Sequence, residues 1–177
     1  MSVAQFEAHW LASWVEEFGI DGFRCDTVKY VSKDSWKLLK EYSTEALEHW
    51  RTKNKGKDPA ASWTDPFYMT GEVWAFTNDP NDKSEYAKKG GFDSLIDFYF
   101  NPDGVNLNTC ITPDQGDWVT YGNLYGRLEG KPALMNMTYI SSHDTSLCRK
   151  KDMAKVGVNF LMLPGSVPVS YTHLTLP

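Results

Sequence analysis

Residues 3 to 18 place Phe6, Trp10, Leu11, Trp14, Val15 and Phe18 at helical spacing, and Gly19 follows where a C-terminal cap belongs. This predicts an amphipathic helix. The pattern then changes to a short buried strand, Gly22-Phe23-Arg24-Cys25-Asp26 with Thr27-Val28, in which two charges interrupt the apolar run. A second helix is expected from about Asp34 to Trp50, carried by Leu39, Tyr42, Ala46, Leu47 and Trp50. The Lys-rich stretch 51–58 reads as a surface loop. Strands are then expected over 67–73, 94–98, 137–141 and 167–169, with helices around 82–89 and 154–162. A long Gly- and Asn-containing connection over 101–117 and a weaker helical stretch ending near Gly130 lie between.

Alternating β and α elements of this length imply an α/β fold, with parallel strands joined by helical crossovers. A parallel sheet is covered on both faces, so a doubly wound sheet and part of a (β/α) barrel both fit. The acidic residues add information. Asp26, Glu72 and Asp144 fall at or just past the C-terminal ends of expected strands, where barrel enzymes carry their chemistry.

The 177 residues and 41% hydrophobic content suffice for one ordinary core. A net charge of −5 without a Lys/Arg cluster argues against nucleic acid or an anionic membrane surface as partner, and no apolar run reaches spanning length. A neutral substrate fits better. Seven Trp, nine Tyr and nine Phe could stack on sugar faces, although most aromatics in a globular chain are core. Cys25, Cys110 and Cys148 show neither CxxC pairing nor a His at metal-ligand spacing, so no zinc site or disulfide framework is suggested.

Arg24 and Asp26 lie two apart on a strand and so point to one side. A guanidinium there keeps the carboxylate ionised, as a nucleophile requires; the alternative is an ion pair that only fixes a turn. Glu72 ends an apolar strand beside Val73-Trp74, surroundings that raise a carboxyl toward the pKa of a general acid. The alternative is a solvated loop glutamate. His143-Asp144 reads as a pair for hydroxyl groups or as an N-capping Asp beside a satisfied His. Trp74 and Phe76 read equally as sugar platforms or as packing.

Together these sites resemble the α-amylase superfamily, glycoside hydrolase family 13. Gly22-Phe23-Arg24-Cys25-Asp26-Thr27-Val28-Lys29-Tyr30 is similar to its fourth-strand motif, Gly71-Glu72-Val73-Trp74 to its fifth and Ser142-His143-Asp144 to its seventh, in the same chain order. The long interval from Asp26 to Glu72 resembles the bacterial periplasmic branch.

The resemblance implies a partial (β/α)8 TIM barrel, roughly strands 4 to 8, over residues 1–169. It also implies retaining hydrolysis of α-1,4-glucans or maltooligosaccharides. Asp26 would be the nucleophile, Glu72 the acid/base and Asp144 the third carboxylate. Arg24 and His143 would serve the same subsite, with Lys29 and Tyr30 on the leaving-group side. Tyr30 stands where the motif has His; its backbone carbonyl is the expected ligand of a structural calcium ion, while the imidazole contact to sugar is lost. Transglycosylation shares the same intermediate, and a non-catalytic transporter partner is the third reading. Periplasm or secretion follows from the resemblance, with cytoplasm open.

The first three barrel strands and their motif are expected to be missing, leaving the 177 residues inactive alone. The segment 170–177 is read as a non-native tail resembling translated adapter sequence.

Overall fold

The computed structural model describes residues 1–73, 80–96, 135–139 and 166–169. The expected connection over 101–117, the helical stretches near Gly130 and over 154–162, and the tail 170–177 lie outside them.

Helix α1, Val3–Phe18, starts at a capping box in which the Gln5 amide donates to Ser2 Oγ and the Ser2 amide to Gln5 Oε1. It stops at Gly19, whose φ of 68° is left-handed and whose amide returns to the Val15 carbonyl at 2.8 Å. The same glycine lets a neighbour in close, because a Cβ there would sit 2.4 Å from Cε2 of Trp50. Strand β1, Gly22–Cys25, follows.

Helix α2, Lys33–Asn54, is capped by Ser32 and packs on α1. It extends into the stretch read as loop. Arg51 and Lys53 in the last turn complement the helix dipole, and Thr52 Oγ1 and Asn54 Nδ2 donate back to the carbonyls of Glu48 and Trp50. The α2 stripe buries Leu39, Ala46, Leu47 and Trp50 as expected, with Ser43 beside them.

The face of α1 differs in part from the expectation. Of the expected stripe Val15 is buried and Leu11 half-buried, but Ala8 and Ala12 complete the inner face, whereas Phe6, Trp10, Trp14 and Phe18 are exposed. Small side chains allow two helices to approach closely, so the alanine side meets α2 and the aromatic side faces out.

The described residues fall in two compact units, the first built from Met1–Glu72 and Glu85–Asp93. In it β2, Tyr68–Gly71, runs parallel to β1, with Arg24 opposite Thr70 and Cys25 opposite Gly71. Phe67, Met69 and Leu47 are fully buried, and Phe23 meets Phe67 edge-on with ring centroids 5.1 Å apart. At the other end of β2 from Glu72, Lys40 of α2 pairs with Asp93 at 2.5 Å and donates to the Phe67 carbonyl. Asp93 Oδ2 also accepts the Met69 amide at 2.7 Å, so one charged clasp fixes where the strand enters the sheet.

Helix α3, Pro80–Gly90, precedes β3, Ser94–Ile96. In the second unit β3 pairs parallel with β4, Met135–Tyr139, and β4 with β5, Ser166–Val169. Every observed pairing is parallel, as helical crossovers require.

Candidate active site

Asp26 is the first residue past β1 and Glu72 the first past β2, so parallel pairing puts both at the same, C-terminal edge. The register is held beyond the strands. The Glu72 amide donates to the Cys25 carbonyl at 2.8 Å, and the Val28 amide donates to the Glu72 carbonyl at 2.9 Å.

Arg24 joins the two carboxyl groups. Its Nη1 donates to Asp26 Oδ1 and its Nη2 to Glu72 Oε2 at 2.9 Å. The two acids differ in exposure: the Asp26 side chain is 63% exposed, that of Glu72 only 8%. Burial accordingly pushes the Glu72 carboxyl above its ordinary value, and the hydrogen bond and negative charge of Asp26 push it the same way. The Arg24 charge and the hydrogen bond to the Thr27 backbone oppose that rise. The arrangement sets an exposed Asp26 side chain beside a guanidinium and a sheltered Glu72 carboxyl whose pKa is raised. A solvated loop glutamate does not describe Glu72.

The turn that presents Asp26 is strained. Thr27 has φ 46° and ψ 39°, the one non-glycine residue at positive φ among the described residues. For a β-branched residue this conformation costs about 1–2 kcal/mol. It is followed by a 3₁₀ turn, Val28–Tyr30, which the Tyr30 amide closes on the Thr27 carbonyl at 3.0 Å.

Lys29 and Tyr30 ride on that turn and are exposed, with Lys29 Nζ 5.1 Å from the Tyr30 ring centroid. Lys29 also lines an open cavity of about 370 Å³ with Ser32, Lys33, Tyr86 and Lys89. His143, Asp144, Trp74 and Phe76 lie outside the described residues. The structure thus brings together Arg24, Asp26 and Glu72 of the expected set.

The Tyr30 carbonyl is one oxygen, and calcium takes six to eight. Among the described residues no group of three or more His, Cys, Asp or Glu is placed to hold a metal ion. Cys25, buried and unbridged, has its thiol pushed up to about 12 by burial and is inert as a nucleophile.

A family profile described as "Alpha amylase, catalytic domain" matches residues 2–160. The chain belongs to this family. It is 35% identical over 163 residues to the periplasmic α-amylase of Escherichia coli, a match spanning 92% of this chain and 22% of that protein. An α-amylase of Streptomyces lividans is 40% identical over 87 residues, 49% of this chain and 8% of that protein. The chain therefore spans about a fifth or less of the length of these relatives.

Among solved structures, an Anoxybacillus α-amylase superposes with a TM-score of 0.67 at 23% identity, covering 96% of this chain and 35% of that one. An α-amylase of Geobacillus thermoleovorans gives 0.57 at 18%, with the same coverage. These likenesses show the fold: the parallel strands and helices are part of an α-amylase barrel.

Sequence reasoning overlooked Trp36, whose indole N–H donates to the Val28 carbonyl at 3.0 Å. A signal existed, because Trp36 stands three residues before Leu39 on the apolar stripe of α2.

Proposed function

We propose that the complete protein is a retaining α-glucoside hydrolase acting on α-1,4-glucans or maltooligosaccharides, with Asp26 as nucleophile and Glu72 as acid/base. The observation that carries this reading is the Arg24 fork, which holds an open Asp26 carboxylate and a buried Glu72 carboxyl as one hydrogen-bonded group. Inverting enzymes separate their carboxyl groups by about 6.5–9.5 Å to admit a water, and retaining ones by about 5–5.5 Å. One guanidinium that reaches Asp26 with one nitrogen and Glu72 with the other keeps the two carboxyl groups close together, which supports the retaining class.

In the first step an Asp26 oxygen bonds to the anomeric carbon as the glycosidic C–O bond breaks. The leaving oxygen keeps the electron pair and takes the Glu72 proton. In the second step water attacks the same carbon, its proton passes to Glu72, and the glycosyl–Asp26 bond breaks. Arg24 holds the charge of Asp26 before attack and of the released carboxylate afterwards. In this reading the chain contributes roughly strands 4 to 8 of the barrel. Asp144 and His143 hold sugar hydroxyls, and Lys29 and Tyr30 face the leaving group. Calcium enters as a structural ion of the complete protein, to which this chain offers the Tyr30 carbonyl.

Incubating the complete protein with a fluorinated glucosyl substrate and sequencing the labelled peptide tests the assignment. The expected adduct is on Asp26; a label elsewhere, or none with starch still cleaved, overturns it. Chromatography of products from maltooligosaccharides separates hydrolysis from transglycosylation, which would yield chains longer than the substrate.

A further inference from the structure

We propose that Trp36 is a positioning residue for the Asp26–Glu72 pair, holding closed the turn from which Asp26 projects; this rests on the catalytic reading of that pair.

The Asp26 side chain is largely open, so its aim depends on the backbone beneath it. That backbone includes Thr27, left-handed at φ 46°, and a strained residue persists only where its surroundings over-determine it. Besides the bonds inside the turn, from the Tyr30 amide to Thr27 and from the Val31 amide to Val28, two hydrogen bonds tie it to other elements, and both of these fall on Val28, whose side chain is fully buried. Its N–H goes to the Glu72 carbonyl at 2.9 Å, so the turn under the nucleophile and the backbone of the acid move together. Its carbonyl accepts the Trp36 indole N–H at 3.0 Å, and this clamp comes from the first turns of α2.

Trp36 is itself aimed by packing. Its ring meets Phe92 edge-on, with centroids 5.6 Å apart and planes at 66°. The indole is thus presented to Val28 whether or not the hydrogen bond forms. Without the bond, the Val28 carbonyl keeps only the Val31 amide, at 3.3 Å within the turn itself, and the tie to α2 that holds Thr27 out of the extended region it prefers is gone. Asp26 then swings away from Arg24 and Glu72. The consequence falls on the pair rather than on the core.

The test uses the complete reading frame and Trp36→Phe, which keeps a ring against Phe92 and removes the donor. Expected are a fall in kcat on maltooligosaccharides of about 10- to 100-fold, the scale of a small misplacement, and a KM within about twofold. The Glu72 carboxyl, followed by ¹³C NMR and assigned with Glu72→Gln, should titrate closer to an ordinary glutamate. Adding Thr27→Gly, which takes the left-handed conformation without strain, should restore part of the kcat.

Unchanged kcat and unchanged Glu72 titration in Trp36→Phe overturn the proposal. So does a loss that tracks a collapse in Tm and is not rescued by Thr27→Gly. If the phenylalanine variant does not fold, 3-benzothienylalanine at position 36 supplies the indole shape without the N–H, with the same expected readings. Should the wild type prove to hydrolyse no glucan, the catalytic reading fails, and the Glu72 titration still decides whether Trp36 positions the pair.

Discussion

Arg24 Nη2 donates to Glu72 Oε2 at 2.9 Å while its Nη1 holds Asp26, so the cation opposes ionic repulsion between the acids and lowers the Glu72 pKa against the effect of burial. Arg24→Met removes that influence. The Glu72 carboxyl should then rise further, and because a general acid must be protonated, the basic limb of the kcat/KM profile should move to higher pH. The kcat of the complete protein should fall by about 10²–10³-fold, as when one charge-stabilising donor is lost. A pH–rate profile checks both, and a basic limb that stays in place would sink the assignment of Glu72 as acid.

The same raised carboxyl makes a prediction about stability with the opposite sign to most active-site charges. Burial, then Asp26, favour the protonated Glu72 in the folded state, above its ordinary value of 4.5. A group raised on folding contributes stability fully below its unfolded pKa and loses it as pH rises through the folded value. Glutamine carries no such loss. Glu72→Gln should therefore raise Tm at about pH 7 and leave it nearly unchanged at about pH 4. Calorimetry at the two pH values decides it, and an equal change at both would remove the linkage.

Much of this site was legible because its chemistry is written in alternation. Asp26 and Glu72 end apolar strands, and parallel pairing of β1 with β2 brings strand ends to one edge, so position along the chain became position in space. The strained turn was not legible. A threonine is a poor candidate for φ 46°, and its conformation is held through Val28 by Glu72, far along the chain, and by Trp36 on the next helix. Periodicity likewise gave α1 as a helix and Val15 as part of its inner face, but set the outward aromatics beside it. The spacing of Phe6, Trp10, Trp14 and Phe18 is as helical as that of Ala8, Ala12 and Val15, and helical spacing does not say which stripe meets α2.

Gly19 gives a test of how α1 hands over to β1. Its φ of 68° excludes most side chains, and an added Cβ would lie 2.4 Å from Cε2 of Trp50. Left-handed strain and overpacking act together in Gly19→Ala, which should destabilise by about 2–4 kcal/mol. Urea unfolding measures it. Trp50→Leu relieves only the overlap, so the double variant should recover part of the loss; full additivity would show that the ring is not the obstacle.

The outward stripe of α1 carries a prediction about the chain of 177 residues produced by itself. Phe6, Trp10, Trp14 and Phe18 are 63%, 56%, 46% and 57% exposed and stand four residues apart along one side of the helix. Trp14 and Phe18 stack with centroids 5.7 Å apart, so the stripe is a contiguous apolar surface rather than scattered side chains. Surfaces of this kind drive association, because joining two of them removes apolar area from water. The chain should self-associate at micromolar concentration, as read by sedimentation velocity. Trp10→Lys with Trp14→Lys should shift it toward monomer. Since both side chains are more exposed than the buried Ala8, Ala12 and Val15 that meet α2, each change should alter unfolding stability by no more than about 0.5 kcal/mol. Association that persists in the double variant would place the sticky surface elsewhere, while a large loss of stability would mean that the two rings are part of the core after all.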